Sequence, residues 1–131
     1  MQTTASHGPA AGLDASGPGP AAVARWRALL ETRWQARLRE VTELALAYHE
    51  AAAVQGHGTG AGGEAQRRLD RLLRRTVAAR RALADTEEAL ARLSAGSYGR
   101  CEGCAGAIAA GRLAITPETR YCARCALGRA S

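Results

Sequence analysis

The chain has 131 residues, enough for one domain or for a long element carrying a small module. Aromatic residues make up 4% and phenylalanine is absent, which excludes a large ring-filled globular core and favours helices sealed by a narrow apolar seam. Eighteen basic residues against twelve acidic ones give a formal net charge of +6, a modest balance that permits contact with nucleic acid without requiring it.

Residues 1–20 are mostly Gly, Pro, Ala, Ser and Thr, with Asp14 as the single charge, and they end in GPGP. Such a stretch buries little apolar surface and is expected to be a disordered tail. Pro20 suits a first helical turn, where its missing N–H costs nothing. From Ala21 to about Gln55 there is no Gly or Pro, and apolar residues recur at Leu30, Trp34, Leu38, Val41, Leu44 and Tyr48. Steps of three and four predict a helix with those residues on its buried face. Gly56–Gly63 reads GHGTGAGG and predicts a turn. It lacks the Lys-Ser/Thr of a phosphate-binding loop and follows no strand.

Helical periodicity resumes from Glu64 to Ala95. With heptad position a on Leu69, Thr76, Leu83 and Leu90, position d falls on Leu72, Ala79, Thr86 and Leu93, the pattern of a coiled-coil seam. Two helices of matched length joined by a glycine turn predict an antiparallel hairpin over residues 21–95, with its tip at 56–63. Arg67, Arg71, Arg74 and Arg81 line the outer side of the second helix. They read as a solvated coiled-coil face or as a contact surface for nucleic acid or an acidic protein. Asp70–Arg74 and Glu88–Arg92 are spaced for intrahelical ion pairs. Trp26 and Trp34, eight residues apart, are expected to pack at the base of the hairpin. Gly96 is placed to end the second helix.

The last segment, residues 96–131, holds all four cysteines in two Cys-x-x-Cys pairs, Cys101/Cys104 and Cys122/Cys125. Two residues between ligands let one turn present both sulfurs to a metal, and two such turns complete a four-thiolate site for one structural zinc ion. The competing readings are two disulfides or a thiol redox pair. No basic region followed by an apolar run opens the chain, and no stretch reaches the length of a membrane span. A cytoplasmic, reducing location is therefore expected, which favours metal over disulfides. Four metal-bound thiolates would lower the net charge to about +4. His7, His49 and His57 are read as surface residues, since four cysteines already satisfy zinc. Only about one frayed helical turn is expected after Cys125. No catalytic constellation is present, so the chain is read as a non-enzyme. Lysine and asparagine are absent along with phenylalanine, as in proteins of GC-rich bacteria.

The segment from Gly96 to Cys125 resembles the zinc finger of the DksA/TraR family. Tyr98-Gly99 precedes the first cysteine pair, and Arg112-Leu113 and Pro117 precede the second. A helical hairpin ahead of the finger belongs to the same architecture. The resemblance implies an all-α protein that binds bacterial RNA polymerase, its coiled coil entering the secondary channel, and modulates initiation, often with ppGpp. It also implies that the finger sets the angle of the hairpin at its base. The family's tip motif, Asp-x-x-Asp-x-Ala, aligns on Ala65 and places Gly60 and Gly63 where the aspartates stand, so the output and the ppGpp dependence are expected to differ. No membrane partner is expected, and the chain is read as a monomer. Two other readings remain: a zinc module that binds nucleic acid through the arginine stripe with Arg100, Arg112, Arg120 and Arg124, and a coiled-coil adaptor with no polymerase role.

Overall fold

The computed structural model describes residues 19–57 and 62–130, with only the backbone described at 56, 57 and 130. The expected tail over residues 1–18, His7, the centre of the tip turn and Gly60 lie outside the described residues. Four helices follow in order: α1 Pro20–His57, α2 Gly62–Ala95, α3 Ala110–Ile115 and α4 Ala123–Ala130. No strand forms among the described residues; a single antiparallel bridge joins Arg100 and Ala107. The all-α expectation is met. Both long helices run further into the glycine-rich segment than the sequence suggests, α1 to His57 and α2 from Gly62. Gly62 accommodates the start of α2 with φ +74°, a left-handed value that suits glycine.

The chain divides into two compact units. One is Thr32–Asp85, in which α1 and α2 run antiparallel. Its core is Leu44, Leu72 and Ala79, flanked by Val41, Ala47, Tyr48 and Ala51. The threonine in this seam leaves it apolar, because the Thr76 hydroxyl donates to the Leu72 carbonyl of its own helix at 2.7 Å. Towards the tip, Gln55 Nε2 donates across to Gln66 Oε1 at 3.1 Å. Leu38 departs from expectation and is 40% exposed. At about 100° per residue it sits ~80° round from Leu30, whereas Val41, Leu44 and Tyr48 stay within ~40°. Counting steps of three and four hides this drift.

The other unit joins α1 up to Glu31 with the chain from Thr86 onward. Its core is Leu30, Ala89, Leu93, Tyr98, Cys101, Ile108 and Leu113. Leu30 of α1 and Ala89 and Leu93 of α2 thus share one cluster with the cysteine-bearing segment. All four d positions of α2 are buried, along with Thr76 at a, while Leu69, Leu83 and Leu90 are half-buried. Ala89 lies outside the a/d pattern yet is fully buried. It belongs to the cluster that Ile108 and Leu113 of the cysteine-bearing segment complete, which a two-helix register cannot anticipate. Trp26 packs here as expected, its ring 5.8 Å from that of Tyr98; Trp34 is half-buried in the hairpin unit.

α2 ends at Ala95 with Gly96 at φ +84°. Gly96 N–H donates to the Leu93 carbonyl (3.3 Å) and Ser97 N–H to that of Arg92 (2.9 Å), the paired bonds of a Schellman motif. The glycine expected to end the helix does so. Neither expected intrahelical ion pair forms. Asp70 accepts from Gln66 Nε2 instead (3.1 Å), and Glu88 pairs with Arg120.

Candidate metal centre and the finger that carries it

The first cysteine pair sits in a tight turn. Cys101 N–H donates to the Gly106 carbonyl at 2.8 Å, Ala105 N–H returns to the Cys101 carbonyl at 2.9 Å, and Ile108 N–H reaches the Gly99 carbonyl at 2.7 Å. Closing this turn puts Ala105 at φ +64°, a left-handed value that strains a residue with a Cβ. The second pair opens α4, where Ala126 N–H donates to the Cys122 carbonyl at 2.9 Å. That helix has eight residues, longer than the frayed turn expected, and begins between the two cysteines. Glu102 N–H to the Arg120 carbonyl, 2.8 Å, joins the two turns.

All four Sγ atoms lie within 4.8 Å of one another, and no disulfide links them. Cys104 Sγ and Cys122 Sγ are 3.9 Å apart. Sulfurs bound tetrahedrally at ~2.3 Å from zinc stand about 3.8 Å from each other, so this cluster fits one zinc ion. The backbone also suits thiolates, since Gly103 N–H and Cys122 N–H each point at Cys101 Sγ from 3.3 Å. A Cβ at Gly103 would lie 3.0 Å from Cys125 Sγ and 3.2 Å from its Cβ. Glycine is therefore the residue that lets the first turn close on the second.

Among themselves the four thiols differ. Burial pushes Cys101 up, but the N–H groups of Cys122, Cys104 and Gly103 outweigh it and bring the thiol down to about 6. Cys122 is also lowered, chiefly by the Cys125 N–H. Cys125 is pushed up to about 12 by the side chains of Cys101 and Cys122 and by burial. A dication favours the deprotonated form at every position, because its charge offsets the repulsion between neighbouring thiolates.

The residues around the cluster tie it to the long helices. Tyr98 Oη donates to the Pro117 carbonyl (2.9 Å), Arg92 Nη2 to that of Glu118 (3.3 Å) and Arg112 Nε to that of Tyr121 (2.9 Å). Thr86 Oγ1 donates to Glu118 Oε2 at 2.8 Å, and Arg120 pairs with Glu88 of α2 and, at 3.4 Å, with Glu102. Residues 117–121 thus form a strap held down on α2. The Arg129 guanidinium lies 4.1 Å over the Tyr121 ring. Sequence reading missed Thr86, Glu118 and Gly103 as finger-building residues; the one signal pointing to them was Thr86 as a polar residue on a seam position. It also offered Arg100, Arg112, Arg120 and Arg124, with the arginine stripe, as a nucleic-acid surface. Arg112 is bonded within the finger, Arg120 pairs with Glu102 of the finger and with Glu88 of α2, Arg100 Nη1 donates to the Ala105 carbonyl at 3.3 Å, and Arg124 is exposed.

The fold and cluster together define a helical hairpin carrying a four-cysteine finger. The chain matches no family model and no curated protein sequence. Among solved structures it is similar to transcription factor DksA2 from Pseudomonas aeruginosa, with a TM-score of 0.74 and 20% identity over 84% of each chain. That likeness establishes the shared fold. No described helix is long and apolar enough to cross a membrane.

Proposed function

We propose that the chain is a DksA/TraR-type transcription regulator: it binds bacterial RNA polymerase, inserts its hairpin into the secondary channel and modulates initiation. The observation that carries this reading is the four-sulfur cluster fastened to the base of a helical hairpin, in the fold of a protein described as a transcription factor. Cys101, Cys104, Cys122 and Cys125 hold one zinc ion, whose role is structural because four thiolates leave no open coordination position. The finger fixes the exit of α2 without needing a large core. The protein acts in the cytoplasm, as a monomer and without chemistry of its own.

Gly62 and Gly63 open α2, and Glu64 is the acid of its first turn. A tip with glycine at 60 and 63 regulates more weakly than one with aspartates, or in a different sense, and depends differently on ppGpp. The test is capture of the cognate core polymerase by the purified protein, with competition by another secondary-channel factor. Failure to bind, or binding unaffected by the competitor, overturns the reading. Multi-promoter transcription with the parent chain and with Gly60→Asp/Gly63→Asp then measures what the tip contributes.

A further inference from the structure

Charge is distributed unevenly along the hairpin unit. Residues 62–85 of α2 carry seven arginines and three acids, a net of +4; residues 32–57 of α1 carry three of each and balance. From Thr86 to Ala95, α2 has two acids and one arginine. The excess therefore belongs to one stretch of one helix. Arg67, Arg71, Arg74 and Arg81 are all exposed and fall within about 80° of arc, and Arg68 and Arg75 border them. The outer face of a solvated coiled coil usually alternates sign and is laced with ion pairs. Here Glu64 alone answers, pairing with Arg67 (3.0 Å) and Arg71 (3.6 Å). Among the described residues Arg68, Arg74, Arg75 and Arg81 make no ion pair.

A second feature adjoins the arginines. Leu73 and Val77, 48% and 45% exposed, lie between the buried seam and the arginine band. With Tyr48, His49 and Arg80 they line a groove of about 230 Å³. Small-molecule pockets run to ~300–1,000 Å³, so this one suits a single ring better than a whole cofactor. The Tyr48 and His49 rings meet edge to face at 5.9 Å, which leaves aromatic surface at its wall.

We propose that this face of α2 binds a single strand of nucleic acid, its phosphates on the arginine band and a base in the Tyr48–His49–Val77 groove. Guanidinium groups engage phosphates bidentately, and base–aromatic stacking tolerates any sequence. From Arg67 to Arg81 the band spans about 21 Å, the length of roughly six nucleotides. An acidic protein surface would use the charge but has no need of a ring-sized groove.

The test uses the full zinc-loaded chain alone, so its outcome is independent of polymerase binding. Fluorescence anisotropy with labelled dT12 from 25 to 200 mM NaCl should show affinity falling with a log–log slope of about −2 to −3, three to four phosphate contacts at ~0.7 each. Arg67→Gln/Arg74→Gln/Arg81→Gln should flatten the slope by about 2, while the matching lysine variant and the α1 control Arg25→Gln/Arg27→Gln/Arg39→Gln keep it. Tyr48→Leu should weaken binding about five- to a hundredfold at unchanged slope. Circular dichroism and zinc content matching the parent show that each variant is folded. Absence of dT12 binding at 25 mM NaCl overturns the proposal. So does equal loss in the α1 control, or displacement by polyglutamate with the same potency and slope, which would assign the face to an acidic protein.

Discussion

Replacing Thr86 with valine tests how the finger is fastened to the hairpin. Thr86 is fully buried, and its hydroxyl donates to Glu118 Oε2 at 2.8 Å across 32 residues of sequence. A hydrogen bond to a charged acceptor is worth about 1.5–3 kcal/mol. Valine has the same shape and returns roughly 0.8 kcal/mol by burying a methyl group where the hydroxyl stood. The expected net loss is about 1–2 kcal/mol, a fall in Tm of roughly 4–10 °C for a folded chain of this size. Thermal unfolding followed by far-UV circular dichroism measures it, and bound zinc should be unchanged at room temperature. A double-mutant cycle with Glu118→Gln isolates the pair, and its coupling should exceed ~1 kcal/mol. A coupling within the ~0.3–0.5 kcal/mol scatter of independent sites would refute the claim that this bond anchors the strap.

Four further outcomes are expected. Cys104→Ser should release zinc and unfold the finger, because the ~10–16 kcal/mol of such sites is folding energy; hydrogen exchange should then lose protection at 20–31 and 86–95 while 32–85 keeps it, and full metal affinity in the variant would contradict the ligand assignment. Leu113→Ala removes a side chain with 0% exposure and should cost about 2–5 kcal/mol in denaturant unfolding. Ala105→Gly relieves a residue at φ 64°: strain of about 1–2 kcal/mol, less the ~0.5–1 kcal/mol entropy of glycine, predicts a gain of up to ~1.5 kcal/mol and severalfold tighter zinc in a chelator competition. Gly63→Asp should raise Tm slightly, by about 0.3–1 kcal/mol of stability, because the new carboxylate lies in the first turn of α2 and its Cβ meets only the mobile end of Arg67, with Nη1 at 3.0 Å.

What could be read from the sequence was whatever depends on spacing along one dimension. Periodicity marked both long helices, and the two Cys-x-x-Cys turns marked the sulfur cluster. Tyr98, Leu113 and Pro117, singled out as motif residues, prove to be buried parts of the finger. What stayed hidden depends on pairs distant in sequence. Thr86 read only as a weak seam residue, because its partner Glu118 lies in a loop whose path no local pattern specifies. Glu88 has Arg92 at ideal helical spacing yet turns to Arg120, and Arg92 instead reaches the Glu118 carbonyl. Leu38 failed for a different reason, since its steps were right but their accumulated rotation carried it off the buried stripe. Short α3 was not anticipated, having six residues and no side-chain cap at its start.

The strap from Pro117 to Tyr121 is gripped by Tyr98, Arg92 and Arg112, and each of these side chains takes hold of a main-chain oxygen. Every amino acid brings a carbonyl, but few bring a phenol or a guanidinium. Mutational tolerance across these three contacts should therefore be lopsided. Library selection would let Tyr121 drift as a hydrogen-bond acceptor while Tyr98, Arg92 and Arg112 stayed fixed, although nothing in the linear order of the chain separates givers from receivers.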